Sequence, residues 1–100
     1  MFFKIKATRE KRARGEGVDY SNCKIFVITS VPGIDPYYGF TTQSLSARLL
    51  DLRYSYEQGK EIDPVLFEHL STGMEQIEKV EDYPCESFNE ARERVNEYNQ

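Results

Sequence analysis

Tryptophan is absent, only two cysteines are present, and no apolar run is long. Nothing approaches the roughly 18 consecutive apolar residues of a membrane span, so no membrane partner is expected. The N-terminal stretch MFFKIKATREKRARGEG has too few apolar residues, and too many charges after them, to read as a secretory signal. An intracellular protein that is not secreted is the expectation. Cys23 and Cys85 lie 62 positions apart, and neither has a Cys or His nearby at metal-ligand spacing. In an intracellular setting two free thiols are the expected state.

What is present is enough for one small domain. One hundred residues with 39% hydrophobic content can bury one modest core. Thirteen tyrosine and phenylalanine residues point to a folded chain. The net charge of −4 hides an asymmetry. Residues 1–18 carry six basic groups (Lys4, Lys6, Arg9, Lys11, Arg12, Arg14) against two acids, a net of +4. Residues 19–100 carry seven basic groups against fifteen acids, a net of −8. The acidic body disfavours broad binding to a phosphate backbone, which needs many cationic contacts. The basic arm reads either as a contact for nucleic acid or an acidic partner surface, or as a solvated loop. The division is therefore a basic extension over 1–18 and a domain over 19–100.

The hydrophobic pattern orders the elements. FFKIKA at 2–7 suits an edge strand, and TREKRARGEG after it a loop. KIFVITS at 24–30 is rich in β-branched and aromatic residues and predicts a central strand. PGIDP at 32–36 predicts a turn, and 37–40 a second strand that closes a hairpin. A helix is expected over 43–58, capped by Thr42, with Leu45, Leu49, Leu52 and Tyr56 on one face and Gly59 at its end. Asp63-Pro64 opens a second helix carrying Val65, Leu66, Phe67 and Leu70 and stopping before Gly73. Residues 74–82 suit a third strand, although Ile77 and Val80 do not share a period of two. Ser87 and Glu90 have capping-box spacing and open a last helix with Phe88, Ala91, Val95 and Tyr98 on one face. The expected core is Phe26, Ile28, Leu45, Leu49, Leu52, Phe67, Leu70, Phe88, Ala91 and Val95. His69, on the second helix, is expected at the surface or partly packed. The order predicts an α+β domain: a central antiparallel sheet of about three strands flanked by about three helices.

The stretch VDYSNCKIFVITSVPGIDPYYGFTTQSLSARLLDLR resembles the opening of GIY-YIG nuclease domains, especially the small versions of large DNA viruses and phages. KIF at 24–26 matches the family's first motif and YYG at 37–39 its second. LFEHLSTGMEQIEKVEDYPCESFNEA resembles the later strand, the Tyr-Pro-Cys turn and the final helix. The likeness spans residues 19–98. It implies metal-dependent cleavage of a phosphodiester, in which a strand tyrosine handles the attacking water. A helix arginine faces the phosphate, and a glutamate of the last helix holds one divalent cation, usually Mg2+.

Residue by residue, the resemblance puts Tyr37 at the second-motif tyrosine and Arg48 at the arginine. Packing of Tyr37 in the sheet and pairing of Arg48 with Asp51 is the alternative. Three positions depart from the family. Phe26 replaces the first-motif tyrosine, Leu52 falls where a histidine is common, and Val95 falls at the metal glutamate. Glu90, Glu93 and Glu97 lie nearby, and a gap in the alignment would make Glu93 the substitute ligand. These departures imply a catalytically impaired domain, without a cofactor, kept as a nucleic-acid-binding or structural module, either on its own or in a larger assembly such as a viral particle. The alternative is an active small endonuclease cleaving DNA with Mg2+. Arg48 and the arm residues Arg9, Lys11, Arg12 and Arg14 are the candidate nucleic-acid contacts.

Overall fold

The computed structural model describes residues 18–99. The expected strand at 2–7 and the basic residues of the arm lie outside them. The described chain is an α+β fold. A single 3-10 turn, Tyr20–Asn22, leads into β1 (Lys24–Thr29), β2 (Tyr37–Thr41), α1 (Leu45–Glu57), α2 (Pro64–Thr72), β3 (Gln76–Asp82) and α3 (Phe88–Tyr98). The sheet is antiparallel throughout in the order β2-β1-β3, so the most apolar strand lies in the middle.

Strand alternation sorts the core into two faces. Phe26 and Ile28 point to one side and join Leu52 of α1 with Leu66 and Leu70 of α2. On the other side α3 brings Ala91 against Tyr20, Cys23 and Phe40. Phe40 stands directly across from the fully buried Ile25. A register shift between Ile25 and Phe26 leaves Val80 as an extra residue in β3, because Ile25 pairs with Glu81 and Phe26 with Lys79. That bulge is why Ile77 and Val80 fail a period of two. Ile77 packs on the α1–α2 side, whereas Val80 is exposed.

Several sequence expectations need correction. The first helix begins two residues later than 43. Ser44, not Thr42, caps it and accepts from Ala47 N–H at 3.2 Å. Leu45 and Leu49 are only partly buried at the rim of the core. Phe67 and Phe88 are 51% and 41% exposed, because each packs at a steep angle against a neighbouring ring instead of entering the core. Phe67 meets Tyr56 at 5.2 Å and Phe88 meets Phe40 at 5.4 Å. Phe67 is displaced because α2 turns Leu66, His69 and Leu70 inward.

His69 is fully buried, not at the surface. Its Nε2 lies 2.7 Å from the Asp35 carbonyl oxygen, which can only accept, so Nε2 carries the proton. Nδ1 then accepts from the Ser30 hydroxyl at 2.6 Å. The imidazole thus ties α2 to both ends of the β1–β2 connection. The other caps follow the expected chemistry. Asp63 accepts from Val65 and Leu66 N–H, Gly73 takes a left-handed φ of 71°, and Ser87 accepts from Glu90 N–H. Glu90 returns a bond to the N–H of Glu86, one residue before the cap.

Candidate phosphate-binding cavity

The hairpin and two helices leave a cavity of about 470 Å³ beside β2. Its floor begins at Gly39. A β-carbon there would sit 2.6 Å from Cζ of Phe26, so the absent side chain is what lets the Phe26 ring lie across β2. Tyr37 and Phe40 continue the strand wall, and Phe26 lines the cavity with them. α1 supplies Arg48 from its first turn, where the Ser44 cap fixes the helix start. α3 supplies Phe88, Arg92 and Val95.

The structure therefore brings Phe26, Tyr37, Arg48 and Val95 to one cavity. Leu52 does not line it, being packed among Phe26, Ile28 and Leu66. Glu93 is exposed on α3 and does not line it either. Arg9, Lys11, Arg12 and Arg14 lie outside the described residues. Arg92 was not singled out from the sequence. It follows Phe88 by four positions and precedes Val95 by three, a spacing that puts all three on one helical face.

Charge decides what the cavity can hold. Arg48 and Arg92 line it, and among the described residues no carboxylate does. Arg48 Nε is shielded from solvent and has no hydrogen-bond partner among the described residues. Nor does Arg48 form an ion pair among them, with Asp51 or any other acid. A buried unpaired guanidinium N–H costs free energy unless something accepts from it. Nε itself is closed to solvent, so an anion in the cavity would meet Arg48 through its terminal nitrogens, which make no hydrogen bond among the described residues.

Tyr37 stands between opposite charges. Burial raises its hydroxyl pKa, the Asp63 carboxylate raises it further, and Arg48 pulls it back. The net rise keeps the phenol protonated, so Tyr37 is a hydrogen-bond donor and a poor base for activating water. Its other side faces a second cavity of about 500 Å³, lined by Asp35, Asp63 and the Tyr98 ring. Asp63 is already engaged in capping α2.

The donor set does not fit Mg2+. That ion takes oxygen ligands, usually one or two carboxylates. The described residues offer the apolar Val95 and two guanidiniums that would repel a cation. Among the described residues no group of three or more His, Cys, Asp or Glu side chains converges. No helix among them is long and apolar enough to cross a membrane. Compared with family models, curated proteins and solved structures, the chain has no significant match.

Proposed function

We propose that the chain is a nucleic-acid-binding module that captures a backbone phosphate in the β2 cavity without cleaving it. The observation that carries this reading is the pair of arginines, Arg48 without an ion-pair partner and Arg92, lining a cavity to which the described residues contribute no carboxylate. A guanidinium presents planar donors that match phosphate oxygens, and Tyr37 adds a neutral O–H. The likeness to GIY-YIG domains supports a phosphodiester as the anion. The loss of the hydroxyl at Phe26 and of the carboxylate at Val95 supports binding without hydrolysis. Val18 lines the cavity. The basic residues Arg9, Lys11, Arg12 and Arg14 precede Val18 in the sequence, and on this reading they extend the contact along the backbone.

Fluorescence anisotropy with a labelled DNA oligonucleotide, at several salt concentrations, tests the proposal. A charge-assisted hydrogen bond contributes about 1.5–3 kcal/mol, so Arg48→Ala should weaken binding by roughly 10- to 100-fold. Each lost phosphate contact should also lower the slope of log K against log salt by about 1. Arg92→Ala should act in the same direction, and deletion of 8–14 should flatten the salt dependence further. Unchanged affinity in Arg48→Ala would remove the phosphate reading and leave a protein-interaction module. Metal-dependent nicking of supercoiled DNA by the wild type, lost in Arg48→Ala, would instead establish the endonuclease.

A further inference from the structure

We propose that Cys23 and Cys85 form a reversible dithiol–disulfide couple, a modification site that braces one wall of the β2 cavity. The proposal stands on packing and does not depend on what the cavity binds. The sequence holds two cysteines, so one intramolecular pairing is open to it. The fold brings them together from opposite ends of the domain. The Tyr20 carbonyl oxygen accepts from the amides of both cysteines, each at 3.1 Å. Tyr83 N–H donates to the Cys23 carbonyl at 2.9 Å, so the chain around Cys85 runs alongside β1 as a continuation of the sheet. Cys85 packs on the same buried cluster as Cys23, Tyr20 and Ala91. Both thiols are free.

The two cysteines differ in access, and the difference assigns their roles. Cys23 is 1% exposed. Cys85 is half-buried, and its thiol donates a long, weak bond of 3.6 Å to the Ser87 carbonyl. Burial first, and then the neighbouring Cys85 sulfur, push the Cys23 thiol up to about 12. Cys85 is therefore the entry point and Cys23 the resolving group. With a low-molecular-weight disulfide RSSR as oxidant, the Cys85 thiolate attacks one sulfur, its S–S bond breaks, and RS− leaves. The mixed disulfide carries no charge on Cys85 Sγ, which removes one cause of the raised Cys23 value. The Cys23 thiol then gives up its proton and attacks Cys85 Sγ, and the second RS− departs. Two protein thiols and RSSR become one protein disulfide and two RSH, the protons passing to the departing thiolates.

The bridge would join the Tyr20–Asn22 turn to the segment entering α3. Tyr20 lines the cavity from the first, and Phe88, Arg92 and Val95 line it from the second. Oxidation would fix the spacing of those two walls.

The test treats the folded protein with glutathione disulfide and follows intact mass and peptide maps. Wild type should lose about 2 Da and yield a Cys23–Cys85 linked peptide, reversed by dithiothreitol. Cys23→Ala should stop at a glutathione adduct on Cys85, and Cys85→Ser should stay unmodified while folded. The oxidised wild type should melt about 10 °C or more above the reduced protein, because the bridge closes a long loop. Wild type that retains glutathione on Cys85, that cross-links only in denaturant, or whose bridged form melts no higher than the reduced form would overturn the proposal. The wild-type peptide map decides even if a variant fails to fold.

Discussion

Replacing Gly39 with alanine tests the packing that shapes the cavity. The position is ordinary strand backbone without a positive φ, so alanine meets no dihedral strain there. Removing a glycine from such a site would by itself stabilise the chain by about 0.4–1 kcal/mol through the unfolded state. The added β-carbon, however, would lie 2.6 Å from Phe26 Cζ and 3.1 Å from both Cε atoms. The ring cannot swing away freely, because Phe26 is 1% exposed and packed against Ile28, Leu52, Leu66 and Leu70. Overpacking of this kind costs about 1–3 kcal/mol, which exceeds the glycine gain. The net loss, up to about 2.6 kcal/mol, should therefore lower the melting temperature by up to about 10–20 °C. Phe26→Leu removes the clashing Cζ, so a double-mutant cycle in urea should show a favourable coupling of about 1 kcal/mol or more. A Gly39→Ala protein as stable as wild type, or additive effects in the cycle, would refute the claim that the ring occupies the glycine's space.

Two further outcomes follow from side chains that bridge elements. His69→Ala should cost about 2–4 kcal/mol in urea denaturation, since it opens a cavity and strands the Asp35 carbonyl and the Ser30 hydroxyl; a loss under 0.5 kcal/mol would mean that α2 does not depend on that anchor. Glu81 accepts from Arg94 at 2.5 and 2.9 Å and from the Tyr98 hydroxyl at 2.9 Å, and the Arg94 bonds hold its carboxyl below the usual range. Its stabilisation is present above the unfolded value near about 4.3 and is lost as pH falls through the lower folded value. Glu81→Gln should thus be less stable than wild type at neutral pH and should lose less stability on acidification; parallel pH profiles for the two proteins would exclude that role.

The strands were legible because β-branched residues crowd 25–29 and Pro-Gly-rich segments bound them. Helix ends at Asp63-Pro64, Gly73 and Ser87 were legible because each cap uses a residue whose chemistry is local. The start of α1 was ambiguous at the same level, since Thr42 and Ser44 both offer a hydroxyl and only the path of the chain selects Ser44. The apolar run Val65-Leu66-Phe67 has no period of its own, so Phe67 was placed inward. The spacing Leu66, His69, Leu70 would have marked the true face and exposed His69 as a core residue. The convergence of Tyr37, Arg48, Phe26 and Val95 on one cavity had a basis in motif spacing. Arg92 required weighing a charged residue on the same helical face as Phe88 and Val95. The Cys23–Cys85 contact had no local trace, because it is made across 62 residues by the pairing of β1 with the end of β3.

The bulge at Val80 bears on how the protein avoids its own copies. β3 is one of the two outer strands of the described sheet, and the backbone donors and acceptors on its far side have no strand partner among the described residues. Such a row is a template on which another chain can add a strand and begin open-ended aggregation. Here the extra residue breaks the even spacing that an incoming strand would need to match. Glu78, Lys79, Glu81 and Asp82 around it make a dry, tightly stacked edge costly to form. The irregularity that spoiled the alternation of Ile77 and Val80 thus works against growth of the sheet at its β3 edge.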